Sequence, residues 1–221
     1  MGLSLQSLGG ELLELLYPTR CCFCRRLTGK GRPVCRACLA KYPDVPASSQ
    51  CQTLKGLRGC VSPLWYAGAA REALLRFKFG GLPGYAPVFA NFMRKCLDEN
   101  GFSCDSITWV PLSRGRLRQR GYDQARLLAE EIAAAEGWPC ESLLEKIRET
   151  RPQSGMGGRE ARRRNAADAY RVRDPARVAG KHILLTDDIV TTGETLQECA
   201  RVLRAAGAAS VSAVTAARKK E

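Results

Sequence analysis

Ile183-Leu184-Leu185-Thr186-Asp187-Asp188-Ile189-Val190-Thr191-Thr192-Gly193-Glu194-Thr195 decides how this chain folds. Ile183 to Thr186 is an apolar run with the length of a buried strand. Two adjacent carboxylates follow, then threonines around one glycine. Thr192 to Ala206 has helical spacing and is ended by Gly207. Each part has a chemical use. A helix start leaves backbone N–H groups unpaired and carries partial positive charge, so it suits a phosphate. Gly193 lets the backbone approach that phosphate with no side chain in the way. The hydroxyls of Thr191, Thr192 and Thr195 add donors. Asp187 and Asp188 repel phosphate but accept hydrogen bonds from vicinal hydroxyls. A phosphate loop beside a diol acceptor describes a ribose 5-phosphate.

A plain strand–turn–helix, with Asp188 as a cap, accounts for any two of these features but poorly for all of them in order. A magnesium-binding aspartate pair would need a separate phosphoacceptor strand, which the chain does not offer. No G-x-x-x-x-G-K-[ST] segment is present.

Outward from this segment the pattern is alternating strands and helices. Ile107 to Val110 reads as a strand ending at Pro111, Tyr122 to Ala135 as a helix, and Val211 to Thr215 as a last strand. Leu143, Leu144 and Ile147 mark a short strand region. Ala69 to Phe79 and Ala86 to Leu97 read as helices separated by Gly80-Gly81 and Pro83. Pro152 to Asn165 has glycines and no apolar period, so it is expected to be a mobile loop. The fold class is therefore α/β, with a parallel sheet and helices on both faces. The expected division is residues 1–60, cysteine-rich, then 61–221, with 61–105 a candidate hood and 106–221 the core.

Two C-x-x-C pairs, Cys21/Cys24 and Cys35/Cys38, lie ten residues apart. Paired knuckles present four thiolates to tetrahedral Zn²⁺, and four protein ligands make a closed, structural site. In so small a segment the metal supplies folding energy that a tiny core lacks. Eleven cysteines, an odd and clustered set, argue against a disulfide framework and for a reducing, cytoplasmic setting. Cys51 and Cys60 are too few for a second complete zinc site and read as remnants or core thiols. The opening stretch to Tyr17 reads as a short amphipathic helix rather than a secretory signal, and no apolar run is long enough for a membrane span. Formal net charge is +13, which favours polyanions such as nucleic acid or phosphorylated small molecules.

These motifs resemble the ComF/GntX-like family, which joins an N-terminal zinc ribbon to a type I phosphoribosyltransferase domain and includes competence proteins of transformable bacteria. The segment at 183–195 resembles the family's phosphoribosyl pyrophosphate (PRPP) motif. Val110-Pro111-Leu112, Arg114, Arg118, Arg120 and Gly121-Tyr122-Asp123-Gln124-Ala125 resemble its second block. Lys78-Phe79-Gly80-Gly81 resembles the block before the sheet, and Thr150, Gln153 and Asn165 the mobile-loop block. The resemblance covers roughly residues 11–217. It implies that Asp187, Asp188, Thr191, Thr192, Gly193, Glu194 and Thr195 hold the ribose phosphate, with the two aspartates as the catalytic pair. It implies that a loop from Leu112 to Gly121 holds the pyrophosphate through Arg114, Arg116, Arg118 and Arg120, with Mg²⁺ bridging. A solvated arginine strip is the alternative use of those side chains.

Two classes of function stay open. One is an enzyme that transfers phosphoribosyl from PRPP to an acceptor that the sequence does not name. The other is a non-catalytic competence factor that binds a phosphate sugar, single-stranded DNA or other competence proteins.

Overall fold

The structure, a computed structural model, describes residues 18–148 and 168–220. The expected first helix and mobile loop, with Thr150, Gln153, Asn165 and the arginines of 159–164, lie outside the described residues. Two compact units are present, one ending at Tyr42 and one beginning at Pro43.

In the first unit, Cys21 to Arg26 form a tight turn. The Cys21 N–H donates to Arg26 O at 2.9 Å and the Arg25 N–H donates to Cys21 O at 3.0 Å. A short helix, α1 (Arg36–Lys41), starts directly after Cys35. Phe23 stacks on Tyr42 with ring centroids 4.3 Å apart, and both rings are buried, as is Val34.

The second unit runs α2 (Ala47–Gln50), β1 (Cys51–Gln52), β2 (Cys60–Val61), β3 (Leu64–Trp65), α3 (Gly68–Phe79) and α4 (Ala86–Glu99). It continues through β4 (Ser106–Trp109), α5 (Arg114–Arg120), α6 (Gln124–Glu136), β5 (Leu144–Lys146), β6 (Tyr170–Val172), β7 (His182–Val190), α7 (Glu194–Ala205) and β8 (Ser210–Arg218). The main sheet has the order β1-β2-β8-β7-β4, with β3 also on β8. Every pairing in it is parallel except β1 with β2. Strands β5 and β6 form a separate antiparallel pair.

Alternation along β7 sends Ile183 and Leu185 into a core with Leu196, Cys199 and Leu203 of α7. Leu184 faces the other side, where the buried stripe Leu128, Ala129 and Ile132 of α6 and most of α4 pack. Helices thus cover both faces, as the alternating pattern predicts. The unit boundary departs from residue 60. Cys51–Gln52 and Cys60–Val61 are strands added to the large sheet, so residues 43–60 belong to it rather than to the cysteine unit. Among the described residues no helix is long and apolar enough to cross a membrane.

Two local differences matter for the site. Strand β7 does not stop at Thr186 but runs through Val190, so Asp187 and Asp188 are consecutive strand residues. The expected loop from Leu112 to Gly121 contains the helix α5. Ser113 caps its start, accepting from the Arg116 N–H at 3.4 Å, and Gly121 ends it at φ +79. Because α5 buries no residue, it leaves no apolar period to read.

Candidate functional site

A cavity of about 560 Å³ opens at the carboxyl ends of β4 and β7. Asp187, Asp188 and every residue from Ile189 to Leu196 line it. Gly193 has φ +78, a conformation that side chains resist, and forms the N-cap of α7. A Cβ at Gly193 would also lie 2.7 Å from Leu54 Cδ2. The first bond inside α7 is Gln197 N–H to Gly193 O at 2.9 Å. The turn before it supplies the backbone donors of a helix start, beside the cavity.

The two carboxylates have separate surroundings, as consecutive residues of a strand must. Asp188 pairs with Lys78 Nζ at 2.9 Å, both side chains being largely buried. Asp187 turns back so that its Oδ1 accepts from the Asp188 N–H at 2.8 Å. Burial, followed by the Asp188 charge, pushes Asp187 well above the usual carboxylate range, although Lys78 pulls the other way. A third carboxylate, Asp123, lines the same cavity. It caps α6 through Arg126 N–H at 3.2 Å and accepts from Leu112 N–H at 3.0 Å. Burial raises its pKa too.

The arginines divide by helix geometry. Residues four apart share a face of α5, so Arg116 and Arg120 go together and Arg114 and Arg118 go together. Only Arg116 and Arg120 line the cavity. Arg114 and Arg118, read from the sequence as loop side chains of the site, are not among its lining residues. Arg120 is braced by Gln124 Oε1 at 2.8 Å and lies over the Phe79 ring at 4.9 Å. Arg71, Lys78 and Lys146 also line the cavity, so five cationic side chains face four carboxylates, Asp123, Asp187, Asp188 and Glu194.

Sequence reasoning did not foresee the Lys78–Asp188 pair, the place of Lys146, or Leu54 over Gly193. Two of these join positions more than a hundred residues apart, and Lys146 sits on the short strand β5 of the separate antiparallel pair, so no local period marks them. For Asp123 a signal existed, because a capping aspartate follows Gly121-Tyr122. His182 is exposed at the far end of β7, its Nδ1 2.8 Å from Ser210 Oγ, and takes no part in this cavity.

In the first unit, the sulfurs of Cys21, Cys24, Cys35 and Cys38 all lie within 4.8 Å of one another. Cys24 Sγ and Cys35 Sγ are 3.7 Å apart. Four thiolates about 2.3 Å from a tetrahedral Zn²⁺ stand about 3.8 Å from each other, so the donor set fits that ion. The Cys35 N–H donates to Cys21 Sγ at 3.4 Å, which steadies a sulfur that would be a thiolate. Cys22 is buried outside the cluster, and its N–H donates to Pro33 O at 2.8 Å. Cys51 and Cys60 are not part of any cysteine–acid cluster among the described residues. Burial pushes Cys60 up to about 12, as expected for a core thiol.

Residues 121–221 match the family model described as phosphoribosyl transferase domain. Over 200 residues the chain is 29% identical to the DNA utilization protein YhgH of Salmonella typhimurium, covering 86% of each chain. It is 33% identical over 146 residues to competence protein ComFC of Streptococcus pneumoniae, covering 66% of this chain and 62% of that one. To competence protein F of Haemophilus influenzae it is 30% identical over 105 residues, 47% of this chain and 45% of the relative. The parallel sheet and this match make residues 121–221 a phosphoribosyltransferase domain. Beyond that domain, the chain is similar over most of its length to proteins named for DNA utilization and competence, in keeping with the ComF/GntX-like family that its motifs resemble.

Proposed function

We propose that the protein binds PRPP with Mg²⁺ and transfers its phosphoribosyl group to an acceptor. The observation that carries this reading is the phosphate loop Thr191–Thr195, which shares one cavity with Asp187 and Asp188. The 5-phosphate would sit at the start of α7, and the ribose hydroxyls would donate to the two aspartates. Arg116 and Arg120, with Lys146, would take the pyrophosphate. Asp187 offers hard oxygen ligands beside that position, and Mg²⁺ there would neutralise charge on the departing pyrophosphate. Lys78 pairs with Asp188 at the wall of the cavity and holds it in place there. Because the transition state is oxocarbenium-like, positioning and electrostatics carry the catalysis. Calorimetry with PRPP and Mg²⁺, then pyrophosphate release over a panel of acceptors, tests binding and turnover separately.

A second reading, single-stranded DNA binding, draws on the first unit. Arg20, Arg25, Arg26, Lys30, Arg32, Arg36 and Lys41 are all exposed there, and residues 18–42 contain no acidic side chain. A structural zinc held by Cys21, Cys24, Cys35 and Cys38 would fix that surface. Contacts of this kind engage phosphates without reading sequence. A filter-binding titration of DNA against salt, with and without PRPP, separates this surface from the cavity.

A further inference from the structure

A second cavity, about 990 Å³, lies between residues 53–58 and the outer side of α7. The segment that forms it is tied down at several points. Leu57 is buried and its N–H donates to Leu54 O at 3.1 Å, while the Arg58 N–H donates to Val211 O at 2.8 Å. Gly56, at φ +85, lets the chain close on the helix, where a Cβ would stand 3.9 Å from Ala200 Cβ. The walls are therefore largely set before any ligand arrives.

The lining combines an apolar strip, Leu54 and Leu57, with Lys55, Arg58, Arg201 and Arg204. Arg201 is engaged by Glu198 at 2.8 Å and Asp168 at 3.2 Å, and Arg204 donates to Ala209 O at 3.0 Å. Among the described residues, no ion pair or side-chain hydrogen bond engages Lys55 or Arg58. Two exposed cations three residues apart on this wall, beside an apolar strip, match a ligand with a phosphate end and a flat, weakly polar body. We infer that this cavity is a second binding site, taking a nucleoside phosphate. Its phosphates lie between Lys55 and Arg58, and its base lies on Leu54 and Leu57.

This site adjoins the phosphate loop. Thr192 and Glu194 line both cavities, and Leu54 stands directly against Gly193. A base resting on Leu54 holds that side chain on the loop. Occupancy of the two cavities is then linked, and the linkage is reciprocal. The linkage rests on the PRPP reading, whereas the site itself does not.

The test uses the full chain and ATP as the probe, by calorimetry without PRPP. Wild type binds, and the K55Q/R58Q double variant binds at least about tenfold more weakly, the loss expected for two charge-assisted contacts. Asp188→Asn, which alters only the first cavity, leaves ATP binding unchanged. Saturating PRPP with Mg²⁺ changes the ATP affinity by about fivefold without abolishing it. No ATP binding by wild type overturns the site. So does binding that survives in K55Q/R58Q and disappears under saturating PRPP, which places ATP in the first cavity. ATP binding unaffected by PRPP that does bind overturns the linkage. If PRPP itself fails to bind wild type, the proposed function falls while the ATP measurements still decide the site.

Discussion

Lys78 and Asp188 form a largely buried pair, so each depends on the other. Lys78→Met leaves an uncompensated carboxylate and is expected to cost about 1–3 kcal/mol in denaturant unfolding, with weaker PRPP binding as well. A stability unchanged within error would mean that the pair is formed no better than an exposed one. Asp187 behaves in the opposite sense. Its folded pKa lies above its unfolded value, so the folded state holds the extra proton. Its contribution to stability is fully present below the ordinary carboxylate range and declines as pH rises through the raised folded value. Asp187→Asn should therefore raise the melting temperature of the free protein at about pH 8 more than at about pH 5. The same shift predicts that Mg²⁺ with PRPP expels a proton from Asp187, so binding tightens from about pH 6 to about pH 8. Equal affinity at both would place the metal elsewhere. At Gly193, substitution by valine forces φ +78 on a β-branched residue and drives its Cβ into Leu54. A stability loss of roughly 1–2 kcal/mol and loss of PRPP binding are expected together.

Among the elements, the cysteine unit and α5 make separable claims. Cys35→Ser should remove stoichiometric zinc, about one per chain in the parent, because three thiolates leave the tetrahedron open. The parallel sheet lies in the other unit, so most far-ultraviolet circular dichroism should survive. A variant that keeps one zinc has a different ligand set. For α5, loss of the cap in Ser113→Ala should cost about 1 kcal/mol and weaken PRPP binding, because Arg116 and Arg120 ride on that helix. Sequence legibility varied by element for physical reasons. Strand β7 and helix α7 were legible because an apolar run and an amphipathic period each leave a local trace. The cysteine cluster was legible because ligand spacing is itself the chemistry. Helix α5 left no such trace, so its arginines could not be sorted by face. The short strand at Cys60 depends on register with β8, more than a hundred residues away, and the one at Cys51 pairs in turn with it. The length of β7 was hidden because two carboxylates look like a strand end until Thr215 and Ala217 pair alongside.

For the whole molecule, a net charge of +13 sets what the chain meets at long range. If the cationic first unit is a nucleic-acid surface, single-stranded DNA should bind weakly, with affinity falling steeply as salt rises. Indifference to PRPP would place that binding away from the cavity, and absence of binding at low salt would remove the reading. The proposed function rests on one cavity, built from the end of β7 and the start of α7. The most direct measurement is a calorimetric titration of PRPP with Mg²⁺ into wild type and Asp188→Asn. One site per chain is expected in wild type, with an affinity at least about tenfold weaker in the variant, the cost of a charged hydrogen bond to the diol. Equal binding by the two proteins, or none by wild type, would contradict it.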